Sequence, residues 1–143
     1  MFNKIFIASD HGGFFLKEQI FKYLQDMSFN VFDLGTNDSS SVDYPDFSKL
    51  LVEKLKNDKN NLGILLCGTG IGMSIAANRH YHIRAALCTD EEMAMLSRKH
   101  NNANVLVIGG RTTSLNSAKK IIDSFLQTKF EKGRHVKRLK KIC

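Results

Sequence analysis

Short apolar runs alternate along this chain with longer stretches whose apolar residues recur every three or four positions. Residues 4–9 read as a buried strand, and 12–27 follow as a helix with Phe15, Ile20, Phe21 and Leu24 on one face. Residues 30–34 form a second strand ending at Gly35. Residues 43–57 carry Phe47, Leu50, Leu51, Val52 and Leu55, a broad apolar helical face. The one proline, Pro45, falls in the first turn of that helix, where its missing N–H costs little. Residues 62–67 make a third strand, and a glycine loop leads into a short helix over 70–79. Residues 83–88 make a fourth strand, and 90–99 a helix opened by acidic residues that suit its N-terminus. The fifth strand, 105–108, stops at Gly109-Gly110, and 114–128 is a helix with Ser114 as N-cap. The tail after Gly133 predicts one more, basic, helix.

Strands that alternate with helices imply parallel pairing through right-handed crossovers, with both faces of the sheet covered. The expected fold is therefore α/β: a three-layer α/β/α, Rossmann-like arrangement around a five-stranded parallel sheet. There is no internal repeat or low-complexity linker, so residues 1–143 are expected to form one domain, with the basic helix or tail beginning near residue 130. In such folds ligands collect beyond the carboxyl ends of the strands. Asp10-His11, the loop from Cys67 and Arg111 all follow strands directly, which points to a shared site.

Composition narrows the function classes. At 43% hydrophobic residues, disorder is excluded. No apolar run approaches the ~18 residues of a membrane span, and the N-terminus enters a strand without a leader pattern, so a cytoplasmic location is expected. The three cysteines, Cys67, Cys88 and Cys143, are odd in number and lack metal-ligand spacing, which speaks against disulfides and zinc. The net charge of +7 is localised: residues 129–143 hold seven Lys/Arg against one Glu, and the rest holds 14 against 13. A basic tail on a near-neutral body suits a local anionic partner better than a whole-domain nucleic-acid surface.

The chemistry concentrates in a few places. Cys67-Gly68-Thr69-Gly70-Ile71-Gly72 joins a strand to a helix, with glycines that let backbone N–H groups face an anion. Its spacing and position do not match a dinucleotide fingerprint, so no NAD is expected. Cys67 is either a buried inert thiol or a nucleophile and base favoured by nearby amides. Thr69 is a turn residue or a hydroxyl for a substrate oxygen. Asp10 either caps the first helix or binds sugar hydroxyls, with His11 beside it for a hydroxyl or anion. Asp43-Tyr44 opens the second helix, Asp43 as N-cap or ligand contact. His100 is a favourable dipole contact or an acid–base catalyst, with Asn101 next to it. Arg134 and Arg138 lie four apart, so a helix places both guanidinium groups on one face, suited to a phosphate. His80 and His82 have no carboxylate partner nearby in sequence and read as surface residues.

Taken together, these segments resemble type B ribose-5-phosphate isomerase and the related galactose-6-phosphate isomerase subunits. The resemblance rests on Ser9-Asp10-His11-Gly12-Gly13, Asp43-Tyr44-Pro45, the run from Cys67 to Asn78, Ile83-Arg84-Ala85, Ser97 to Asn101, Asn104-Val105-Leu106 and Gly133 to Arg138. It implies reversible isomerisation of ribose 5-phosphate and ribulose 5-phosphate through an enediolate, in the non-oxidative pentose phosphate pathway. By resemblance, Cys67 is the base, His100 opens the furanose ring and Thr69 assists at the loop. Gly68, Gly70, Ile71 and Gly72 stabilise the enediolate; Asp10, His11, Asp43, Tyr44 and Asn101 bind substrate; Arg111, Arg134 and Arg138 take the substrate and its phosphate. Met73 stands where relatives lacking the cysteine carry a glutamate. The resemblance further implies no metal and no cofactor, and a homodimer or homotetramer (a dimer of dimers) with sites at the interface. The alternative within the class is a six-carbon phosphosugar such as galactose 6-phosphate or allose 6-phosphate. The alternative outside it is a non-catalytic nucleotide- or RNA-binding module, although neither nucleic acid nor membrane is expected as a partner.

Overall fold

The computed structural model describes residues 2–142. Five strands, β1 (Ile5–Ser9), β2 (Val31–Asp33), β3 (Leu62–Cys67), β4 (Ala85–Leu87) and β5 (Val105–Gly109), form one sheet in the order β2-β1-β3-β5-β4. All four pairings are parallel. The helices are α1 (Phe14–Asp26), α2 (Tyr44–Lys54), α3 (Ile71–Ala77), α4 (Glu91–Asn101), α5 (Leu115–Gln127) and α6 (Arg134–Leu139). The expected five-stranded α/β/α arrangement is the one observed, with element ends shifted by a residue or a few; α4 and β5 run past their expected C-terminal ends.

The central strands are apolar on both sides because both faces are covered. Alternate residues divide cleanly between two cores. Ile5, Ile7, Ile64, Leu66, Leu106 and Ile108 face α1, α4 and α5, where Ile20, Leu24, Ala94, Ile121 and Phe125 meet them. Phe6, Ala8, Leu65, Cys67, Val105 and Val107 face α2 and α3, packing on Leu51, Val52, Met73 and Ala77. Each fully buried Ile, Leu or Phe contributes roughly 1.5–3 kcal/mol, so this division fixes the register of the sheet. One face is closed by a polar tie: the Tyr23 hydroxyl of α1 donates to Asp123 of α5 at 2.7 Å.

The strand order places the site. The helix after β1 lies on one face and the helix before β3 on the other, so β1 and β3 flank a topological switch point. In open α/β sheets such a point is where a ligand crevice is expected, beyond the carboxyl ends of the strands. Asp10 and Cys67 are the residues at those two ends. His80 and His82 are half-buried rather than on the surface, because His82 Nε2 packs 2.9 Å from the Val52 carbonyl of α2. Among the described residues no helix is long and apolar enough to cross a membrane. Cys143 lies outside the described residues.

Candidate active site

Three loops meet at the switch point, and glycines let them touch. A Cβ on Gly12 would stand 2.9 Å from the Gly68 nitrogen, and one on Gly110 would stand 2.6 Å from the Gly12 carbonyl oxygen. Backbone hydrogen bonds lock the same contact: Gly110 N–H donates to the Cys67 carbonyl at 2.7 Å, and Arg111 N–H to the Gly68 carbonyl at 2.9 Å. The loops after β1, β3 and β5 thus share one floor.

On that floor, Asp10 is 6% exposed, and its Oδ1 accepts from the N–H groups of Gly12 at 2.8 Å and Gly13 at 3.2 Å. It closes the turn ahead of α1 instead of capping the helix proper, and Oδ2 remains available for another partner. His11 Nδ1 accepts from Val42 N–H at 3.2 Å, which leaves the ring proton of the neutral side chain on Nε2. That bond also draws the segment before α2 to the site. Asp43 occupies the N-cap position of α2, but its side chain makes no capping bond. The ring of Tyr44 lies over Gly72.

Cys67 is 5% exposed and ends β3. Its Sγ accepts a hydrogen bond from Gly70 N–H at 3.2 Å, and Gly70 reaches this arrangement at φ +82°, a left-handed conformation natural to glycine. An amide aimed at sulfur stabilises developing negative charge there. Thr69 is exposed, and its Oγ1 accepts from Ile71 N–H at 3.3 Å, a turn-forming bond. The Arg111 guanidinium lies alongside Gly68. Asp10, His11, Asp43, Tyr44, Cys67 to Gly72 and Arg111 are therefore brought together.

His100, Asn101, Arg134 and Arg138 are not brought to them. A helix that follows a parallel strand runs back along the sheet, and α4's 11 residues cover roughly 16 Å. Its C-terminus, with His100 and Asn101, therefore lies at the amino end of the strands, opposite Cys67. The αL residue Asn102 closes it, and the Arg84 side chain donates to the carbonyls of Asn101 and Asn102 at 3.0 Å. α6 packs against α4 there, and Glu131 N–H donates to the Lys99 carbonyl at 3.0 Å. Arg134 and Arg138 are both exposed on α6. One chain thus carries two clusters of candidate residues at opposite ends of its sheet.

The second cluster also holds two groups, Glu131 and His135, to which the sequence pattern assigned no role. The rings of His100 and His135 stack with centroids 4.4 Å apart and planes 16° apart. His135 is 5% exposed, and burial, aided by His100 and Arg134, holds its pKa below the usual histidine value. Glu131 Oε2 lies 4.0 Å from His100 Nε2. Ligand atoms of His100, Glu131 and His135 fall within 4.8 Å of one another. A metal ion binds in the plane of each imidazole, however, and two stacked, near-parallel planes share no such point at bonding distance. The three groups suit proton handling better than metal coordination.

With this geometry in view, the comparisons with known proteins are direct. Residues 5–142 match the family model described as Ribose/Galactose Isomerase. The chain is 42% identical over 139 residues to ribose-5-phosphate isomerase B of Escherichia coli, covering 97% of this chain and 93% of that protein. A crystal structure of a ribose 5-phosphate isomerase from Thermotoga maritima superimposes with a TM-score of 0.95 at 52% identity, over 97% of this chain and 96% of that one. Ribose-5-phosphate isomerase B from Mycoplasma genitalium, solved with bound ribulose-5-phosphate, gives a TM-score of 0.93 at 48% identity, over 97% and 93% of the two chains. The family model, the sequence identity and the shared fold lead to one assignment: this chain belongs to the ribose/galactose isomerase family.

Proposed function

We propose that this chain interconverts ribose 5-phosphate and ribulose 5-phosphate, with Cys67 as the base and without a cofactor. The observation that carries the reading is the Cys67 sulfur at the carboxyl end of β3, where the Gly70 amide donates to it at 3.2 Å within the glycine loop. Moving a proton between C2 and C1 needs a base for a weakly acidic C–H bond. It also needs fixed donors for the oxyanion that forms, each worth roughly 3–4 kcal/mol at the transition state. The Cys67 thiolate takes the C2 proton of the open-chain aldose and the amides of Gly68, Gly70, Ile71 and Gly72 hold the enediolate; the proton returns at C1 while the O2 hydroxyl proton passes to O1, leaving the C2 ketone. Thr69 assists at the loop, while Asp10, His11, Asp43 and Tyr44 orient the hydroxyls.

Ring opening by His100 and the remaining substrate contacts require the second cluster as the other half-site. The reading therefore includes a homodimer, alone or within a homotetramer, in which one protomer's Cys67 crevice faces its partner's α4 and α6. This would bring His100, Asn101, Arg134 and Arg138 to Arg111 and the loop. Arginines on the phosphate let binding energy remote from the reaction position C1 and C2. Such a reaction belongs to the non-oxidative pentose phosphate pathway, and a cytoplasmic enzyme fits it. The test is kcat/KM for ribose 5-phosphate beside galactose 6-phosphate and allose 6-phosphate. A preference for the five-carbon sugar is expected, and a higher value for a six-carbon sugar would replace the substrate assignment.

A further inference from the structure

His135 sits between the two arginines of α6, yet its ring is turned inward and is 5% exposed. Its Nε2 is buried with no hydrogen-bond partner among the described residues. Its one conspicuous contact is the stack on His100, at 4.4 Å and 16°. A buried nitrogen without a partner lowers stability, so packing alone does not account for this ring.

The chemistry assigned to His100 supplies a reason. Opening the furanose breaks the C1–O4 bond. The O1–H proton leaves as the C1=O1 carbonyl forms, and the bonding pair goes to O4, which takes a proton. A histidine that accepts the first proton and delivers the second is an imidazolium in between and neutral again afterwards. The stacked ring decides whether that charge is tolerated. A neutral aromatic face stabilises a cation above it, whereas a second imidazolium repels it. Burial, the adjacent His100, and the charges of Arg134 and Arg138 all disfavour protonation of His135, with Glu131 alone opposing them. His100 Nε2 faces Glu131, and the ring has no other stacking partner among the described residues.

We propose that His135 is a positioning residue for ring opening: its neutral face fixes the plane of His100 and carries the stack while His100 holds the transferred proton. This rests on the isomerase reading above. It assigns a task to a residue that does not touch the substrate, and it separates the two halves of the reaction, since only ring opening should depend on it.

The experiment compares the intact protein with His135→Ala and His135→Phe. Turnover of ribose 5-phosphate is measured alongside exchange of the C1 hydrogen of ribulose 5-phosphate in D2O, followed by proton NMR. Ribulose 5-phosphate is acyclic, so its exchange tests proton abstraction without ring opening. For His135→Ala the expected result is a fall in kcat of about tenfold or more, with KM and C1 exchange within about threefold of wild type. His135→Phe keeps a neutral stacked ring and removes the orphan nitrogen, so turnover within about threefold of wild type is expected, with a higher Tm. An unchanged kcat in His135→Ala overturns the proposal. So does a loss shared by KM or exchange, which would mark a general collapse of the half-site, and so does a His135→Phe variant as impaired as His135→Ala. If wild type does not isomerise ribose 5-phosphate at all, the functional reading fails instead.

Discussion

The ring of Tyr44 occupies the space that a side chain at Gly72 would fill: a Cβ built there lies 2.6 Å from Tyr44 Cζ. The first residue of α2 is thereby seated on the first turn of α3, at the rim of the Cys67 loop. Tyr44 is 38% exposed, so its ring can swing away. Gly72→Ala is expected to leave the fold intact, with Tm within about 2 °C of wild type, while kcat/KM falls about tenfold as the ring leaves the site. Gly13→Ala is the contrasting case, because its Cβ would meet the Leu66 backbone at 2.9 Å, where nothing can swing. That change is expected to cost roughly 1–3 kcal/mol in chemical denaturation.

Cys67 and Cys88 are both buried, yet only Cys67 ends a strand at the loops that meet on the switch point. Cys88 lies in the opposite core, and desolvation pushes its pKa up to about 11. It is a packing residue with little thiolate at neutral pH. Cys67→Ser is expected to fold normally and to lose activity by about a thousandfold or more, while Cys88→Ala keeps turnover at some cost in stability. Undiminished isomerisation in Cys67→Ser would remove the proposed base.

The Tyr23–Asp123 tie makes a prediction about pH. The hydrogen bond to the carboxylate, then burial, then the charge of Asp123 raise the Tyr23 pKa to about 12. The folded state therefore favours the phenol, and this contribution is complete below about pH 10, the unfolded value. It fades as pH climbs from 10 through 12. Tyr23→Phe is expected to cost about 1 kcal/mol at pH 7, less than a fully buried bond to a charged group because the pair is near solvent. Denaturation of the two proteins at pH 7 and pH 11.5 should show the difference shrinking at the higher pH; a constant difference would mean that the bond does not carry it.

Much of the fold was legible in the sequence, for an identifiable reason. The central strands are continuous apolar runs and the helices show clean spacing, so local pattern and tertiary position agree. The carboxyl-end cluster was legible too, since Asp10, Cys67 and Arg111 directly follow strands. Pattern could not reveal that β5 lies inside β4, because strand order depends on long-range pairing. The stack of His135 on His100 was equally hidden, as it arises from α6 folding back on α4. The separation of the two clusters had a usable signal. His100 ends a helix that follows a parallel strand, and such a position faces the amino end of the sheet.

That separation leads to the sharpest test of the assembly. If Cys67 and His100 served one site within one chain, mixing two inactive variants would restore nothing. If each site takes Cys67 from one protomer and His100 from its partner, the result differs. In a mixed dimer of Cys67→Ala and His100→Ala, one crevice inherits both defects and the other inherits neither. Random reassortment makes about half the dimers mixed, each with one intact site, so activity should recover to about a quarter of wild type. Each variant alone is inactive or nearly so, and unmixed samples combined without subunit exchange provide the baseline. Recovery toward a quarter after co-expression or reversible unfolding is the expected outcome. Activity that stays at the baseline despite demonstrated exchange would mean that the two half-sites do not meet across an interface.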